Sequence, residues 1–222
     1  MSVRLTYFAG YGLAEQTRWL LAYAKVPFSQ RALASFSQFD ELRNDRSLLF
    51  KQLPLLEIDG LKVTQSQAMV RYVARKYFGA VGDDVWVRSD MIAEACKDCR
   101  LGMVKWPFSS SKDVHIKEFV PPLISKWFPL LDPLAEIKDD SEITYAHVLI
   151  AEMVYEYDLM FESKGLPSPS TEFKNLKDLT AKITATPQMV EYLNSDKRFP
   201  FPAEGERCDA YVENVEVVLG RR

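Results

Sequence analysis

The sequence is short of the groups that many chemistries need. Its 222 residues include 3 cysteines and 2 histidines, few soft ligands for a zinc centre to draw on. An odd cysteine count suits a reduced, cytoplasmic setting better than a disulfide framework. No block of lysine and arginine stands out, and the formal charge is −3 from 28 basic and 31 acidic residues. That argues against the cationic face by which nucleic acid or an anionic membrane is held. No apolar run approaches the roughly 18 residues of a membrane span. The chain enters a strand-like run at Val3 and Leu5, so no secretory leader is expected. Neither an internal repeat nor a low-complexity segment is present. What remains is an ordinary globular composition, 47% hydrophobic and 27% charged, enough for one large domain or two small ones.

The first eighty residues alternate between strand and helix patterns. Residues 3–8 read as a strand, Gly10 and Gly12 as a turn, and 14–25 as a helix with Trp19, Leu20, Tyr23 and Ala24 along one side. A second strand follows over 28–33. Residues 34–51 read as irregular, with one helical turn around 39–43. In QLPLLEIDGLKVTQS, Asp59-Gly60 is a two-residue hairpin turn joining 55–58 to 62–64. Ser66 is placed to cap a helix over 67–77. The order βα, β, ββα gives the mixed four-stranded sheet of a thioredoxin-like unit. Residues 78–84 read as a linker.

From Trp86 onward the strand signal disappears. Helices are expected over 86–105, 112–137, 144–161, 172–185 and 187–194. The stretch ITYAHVLIAEMVYEYDLMF (143–161) is apolar nearly all round, which marks a buried central helix. Tyr211, Val212, Val215, Val218 and Leu219 give a short amphipathic helix at the C-terminal end. The expected fold class is thus α/β plus all-α: a thioredoxin-like βαβ-ββα domain over 1–79 and an all-helical domain over 86–222.

Chemistry is concentrated in a few places. In LTYFAGYG, Tyr7 closes a strand just before a glycine turn; there it can pack in the sheet or aim its hydroxyl at a ligand. Leu53-Pro54 opens a strand. A trans bond makes it an ordinary strand start; a cis bond turns the Leu53 N–H and C=O outward for an extended ligand. Gln65-Ser66 stands at a helix N-terminus, either as a simple serine cap or as a seat for a carboxylate. CKDC (96–99) has redox spacing but lies in the helical half, away from the first βα turn, so core packing is the simpler reading. His147 falls where it can close a local cap with Thr144.

The segments LTYFAGYGLAEQTRWLLAYAKVPF, FKQLPLLEIDG, TQSQAMVRYVARKY and ITYAHVLIAE resemble the cytosolic glutathione transferases, with the tyrosine classes, sigma and alpha, most similar. The resemblance spans the whole chain. It implies that Tyr7 hydrogen-bonds the sulfur of glutathione, the co-substrate, with no metal. Gln52 and Leu53, flanked by Lys51 and Pro54, match the stretch that holds the cysteinyl part. Gln65 and Ser66 match the γ-glutamyl pair. Phe39 and Arg43 keep, loosely, the spacing of two residues that reach the glycyl end, and Asp98 matches an acid that reaches across a dimer. Phe50 matches an aromatic plug in a homodimer interface. A small apolar electrophile is expected between the halves, beside Phe8, Leu13, Met103, Trp106, Phe108 and Tyr211.

These implications describe a cytoplasmic, detoxifying transferase of alkyl or aryl groups, with peroxide reduction or isomerisation as further uses of the same thiolate. Leu13 departs from the pattern: the family's arginine near the sulfur is missing. That opens an alternative, a non-catalytic binding or structural protein of the same fold, as lens crystallins of this lineage are. A thiol–disulfide oxidoreductase is opposed by the lack of cysteine at the first turn.

Overall fold

A computed structural model describes residues 2–79 and 81–222; Met1, and Ala80 within the expected linker, lie outside the described residues. The first half is built on four strands, β1 (Val3–Tyr7), β2 (Phe28–Ala32), β3 (Leu55–Ile58) and β4 (Leu61–Thr64). Their order is β2-β1-β3-β4, with β1 parallel to β2 and antiparallel to β3, and β3 antiparallel to β4. This is the mixed sheet expected of a thioredoxin-like unit. Helices α1 (Glu15–Tyr23), α2 (Phe36–Asn44) and α3 (Ser66–Tyr77) complete it. Trp19 and Leu20 of α1 and Met69, Val70 and Val73 of α3 share one core with Leu5, Leu56 and Ile58 of the sheet. A smaller core gathers Leu33, Phe39, Leu42, Leu48, Leu55 and Val218.

Helix α2 is a full nine residues where one turn was expected. Its polar composition hides the period, but its start is capped twice. The Gln38 N–H donates to Ser35 Oγ at 3.4 Å, and the Ala34 N–H donates to Gln38 Oε1 at 2.8 Å. Reciprocal capping of this kind satisfies two otherwise free donors. Phe39 and Leu42, three apart, then supply the buried face.

The second half is helical: α4 (Asp83–Cys99), α5 (Leu101–Lys105), α6 (Lys112–Val114), α7 (Val120–Leu131), α8 (Tyr145–Glu162), α9 (Lys174–Thr184), α10 (Pro187–Leu193) and α11 (Glu206–Val218). A π turn over His115–Phe119 joins α6 to α7, so the single helix expected over 112–137 is interrupted. Helix α8 is the buried centre, packed against α1, α4 and α9. Its first turn is closed by Thr144, whose N–H donates to His147 Nδ1 at 3.0 Å.

Burial lowers the His147 pKa, since the charged ring is the poorly solvated form. The neutral ring is also the one that accepts the cap bond. Stability from this cap is therefore complete above the free imidazole value of about 6.5 and is lost as pH falls below it. His147→Asp replaces the ring with an acceptor that stays ionised. Relative to wild type, the variant should gain about 1 kcal/mol on acidification to about pH 5, or roughly 2–4 °C in melting temperature. Equal pH dependence of the two melting curves would show that the cap does not titrate with folding.

Candidate active site

Tyr7 ends β1, 5% exposed, and the chain turns at once through Gly10 and Gly12. Both glycines are required by close approach. A Cβ on Gly10 would lie 2.3 Å from the Tyr211 ring, and one on Gly12, at φ +47°, would lie 2.3 Å from the Tyr7 hydroxyl. The tight turn brings the Leu13 N–H to Tyr7 Oη at 3.1 Å. The Tyr211 hydroxyl, from α11, lies beside the same phenol, both being close to Gly12.

Burial raises the pKa of Tyr7; the Leu13 N–H, the Tyr211 hydroxyl, Arg18 and Arg100 pull it back without cancelling that rise. The phenol thus keeps its proton near neutrality. Its oxygen already accepts from Leu13, so that proton is left to donate elsewhere.

Two buried arginines hold the turn. Arg18 Nη1 donates to Gly10 O at 3.1 Å and Tyr11 O at 3.2 Å, and is paired with Glu15 at 2.8 Å. Arg100 Nη2, just past the end of α4, donates to Gly12 O at 3.3 Å. Helix α11 closes the far side through Asn214, which accepts from the Ala9 N–H and donates to Leu33 O, both at 2.8 Å.

A second arm of the site lies along the start of β3. The Leu53-Pro54 bond is cis. Among the described residues, neither the N–H nor the C=O of Leu53 has a backbone partner, which leaves both to an extended ligand. Gln65 Nε2 donates to Gln52 Oε1 at 3.3 Å, so the structure brings these two together. Ser66 is not the cap that the sequence suggested. Gln65, at φ +70°, starts the helix one residue earlier, and Ser66 is its first residue without a side-chain cap bond. Its hydroxyl and the first N–H groups of α3 are consequently available to an anion. Lys51 is exposed beside Gln52.

Other expected residues are placed differently. Phe39 is sequestered in the smaller core and has no polar group to offer a glycyl carboxylate. Arg43 lies over its ring at 5.5 Å and pairs weakly with Asp40 at 3.7 Å. The Asp98 carboxylate is exposed on α4 and bonds no described residue of the same chain. Trp106 is walled in, its indole N–H donating to Pro202 O at 3.0 Å, so it is core rather than pocket wall. Phe8 is half-buried, while Leu13 and Phe108 are exposed. Met103 and Tyr211 line a cavity of about 20 Å³ with Gly12, Arg100, Glu156 and Phe201, which is room for about one water.

The CKDC cysteines are free and fully buried. Burial pushes the Cys96 thiol well up and Cys99 to about 12, so neither is poised as a nucleophile.

Arg100, Glu152 and Glu156 were not legible as site residues, although a signal existed. Two glutamates four apart in a helix read as buried need a buried cation. Arg100 meets it, with Nη2 at 2.7 Å from Glu152 and 3.2 Å from Glu156.

Comparison with known proteins agrees with this architecture. Residues 3–75 match the family model for the glutathione S-transferase N-terminal domain. The chain is 31% identical to glutathione S-transferase alpha-4 of Rattus norvegicus and 32% identical to glutathione S-transferase A4 of Mus musculus, each alignment covering 97% of both chains. The crystal structure of monomeric Na-GST-3, a glutathione S-transferase from Necator americanus, superposes with a TM-score of 0.74 at 25% identity over 88% of this chain and 98% of that one. With its thioredoxin-like sheet, its helical second half and relatives aligned from end to end, the chain belongs to the glutathione S-transferases.

Proposed function

We propose that this enzyme activates the thiol of glutathione through Tyr7 and directs it at small apolar electrophiles. The observation that carries the reading is the Tyr7 hydroxyl, protonated by burial and already accepting the Leu13 N–H. A free thiol has a pKa of about 8.5, so lowering it by two units takes roughly 2.7 kcal/mol. One hydrogen bond to a charged group supplies about 1.5–3 kcal/mol. A single phenol donor is therefore sufficient, with no covalent intermediate.

In this reading glutathione lies across residues 1–79. Gln52 and Leu53 hold its cysteinyl part, Leu53 through its backbone, and Gln65 and Ser66 hold the γ-glutamyl end. Lys51 and Arg43 are the cations assigned to its glycyl carboxylate; Phe39 leaves the set because its ring is in the core. The electrophile approaches from residues 86–222, past Phe8, Leu13, Phe108 and Tyr211. Peroxide reduction and isomerisation would use the same thiolate, in a cytoplasmic role in detoxification. Both relatives carry alpha-class names, which favours alpha, and sigma has no support there.

Tyr7→Phe removes the donor, together with the acceptor of the Leu13 N–H. Turnover with a reactive aromatic chloride should drop at least about tenfold, or 1.4 kcal/mol, while glutathione binding changes little. Equal turnover would show that another group activates the sulfur. The alternative, a binding protein of the same fold, is favoured by the uncharged Leu13 and the small cavity beside Tyr211. Glutathione binding without turnover in wild type would select it.

The functional unit is proposed to be a homodimer. Phe50 is 57% exposed next to exposed Leu49. Along α4, α7 and the turn just after α7, an apolar groove of about 370 Å³ is lined by Met91, Ile92, Ala95, Trp127, Leu130 and Leu134. An exposed aromatic plug and an apolar slot on one molecule fit a second copy, and exposed apolar patches of this kind mark interaction sites. In this dimer Asp98 reaches the neighbour's γ-glutamyl site. Sedimentation velocity should give twice the chain mass for wild type and a monomer for Phe50→Asp. A monomeric wild type, as Na-GST-3 is described to be, would overturn the assignment.

A further inference from the structure

We infer that Arg100 is a positioning residue for thiol activation, acting on Tyr7 through the Gly12–Leu13 peptide and supplying the positive field that residue 13 lacks. The inference rests on the Tyr7 reading above. A peptide group is planar, with its C=O and N–H on opposite sides. Here one peptide has both ends engaged: Arg100 Nη2 donates to Gly12 O at 3.3 Å, and the Leu13 N–H donates to Tyr7 Oη at 3.1 Å. A cation on the carbonyl orients the peptide and makes its N–H a stronger donor. The phenol oxygen that accepts it becomes, in turn, a better donor to a bound sulfur.

Neighbouring charges single out Arg100 for this role. Arg18 also faces Tyr7 electrostatically, but it is matched by Glu15 in a fully buried pair and occupied with Gly10 O and Tyr11 O. Leu13 carries no charge and the residue is 39% exposed. Arg100 shares its pocket with two carboxyls, and no directed hydrogen bond to a described residue satisfies either oxygen of Glu152. Burial raises both glutamates, Glu152 strongly and Glu156 to about 7. Burial pulls the guanidinium down, but the two glutamates outweigh it and keep Arg100 charged. The groups facing Glu156 are Arg100, Glu152 and Glu15, with Tyr11 and Tyr211 near enough to feel it. Tyr7 feels the Arg100 charge, which pulls the phenol's pKa down.

The test is a difference-absorbance titration of glutathione bound to wild type, Arg100→Gln, Arg100→Lys, Glu156→Gln and Tyr7→Phe, together with turnover as a function of pH. Arg100→Gln should raise the thiol midpoint by about one pH unit. Turnover at neutral pH should fall by up to about tenfold. Glutathione affinity should hold, and activity should recover at alkaline pH, where the thiol ionises unaided. Arg100→Lys should restore most of the loss. Glu156→Gln should move the midpoint the opposite way, which a loosened site would not do. A folded Arg100→Gln with an unmoved midpoint overturns the inference. So does a loss that neither alkali nor Arg100→Lys repairs. If Arg100→Gln does not fold, Glu156→Gln decides: a lowered midpoint supports the relay and an unchanged one overturns it. If Tyr7→Phe shifts the midpoint and the Arg100 and Glu156 variants do not, only the relay fails. If Tyr7→Phe leaves it unmoved as well, the thiol-activation reading itself fails.

Discussion

Everything at the site depends on how closely the backbone after β1 can approach the Tyr7 hydroxyl. The Leu13 N–H reaches it only because Gly12 has no side chain and adopts positive φ. Gly10 makes the same allowance for the Tyr211 ring. Any side chain at either position would move the turn or the phenol. The turn in turn needs its carbonyls held, because buried carbonyls without partners are costly. Gly10, Tyr11 and Gly12 offer three in succession, and two buried guanidinium groups take them. Both halves of the molecule contribute, since Arg18 belongs to the sheet half and Arg100 to the helical half.

That arrangement brings charge into the interior. Removing an ion from water costs several kcal/mol even after relaxation, and removing one partner of a buried pair costs about 3–5 kcal/mol. Such groups persist where attraction and hydrogen bonds offset the loss. Glu15 illustrates this well: it accepts from Arg18, from the Trp19 indole and from the Tyr192 hydroxyl. Glu152 is the opposite case, with close ion-pair contact but no directed hydrogen bond. One well-satisfied cluster fixes the turn, and one poorly satisfied cluster is left next to the chemistry.

The fold was readable because its signals are local. Asp59-Gly60 sets the hairpin, the Trp19–Leu20 stripe sets α1, and the apolar run at 145–160 sets the central helix. Tyr7, Leu53-Pro54 and Gln65 were readable as candidates because each marks the end or start of an element. What escaped was long-range. Helix α2 hid behind polar residues whose meaning is a reciprocal cap. Phe39 looked like a ligand contact from spacing but is taken up by a core that includes Val218, far along the chain. Arg100 became meaningful only when α4, α8 and the first turn were seen together. The glutamates at 152 and 156 were the clue, and an apolar reading of that helix passed over them.

The central claim is that the protein lowers the pKa of a bound glutathione thiol through a phenol that keeps its own proton. Titrating the thiolate absorbance of glutathione bound to the wild-type protein tests it most directly. The account predicts a midpoint about two pH units below that of the free thiol, near neutrality. A bound thiol that titrates at the free value of about 8.5 would contradict it.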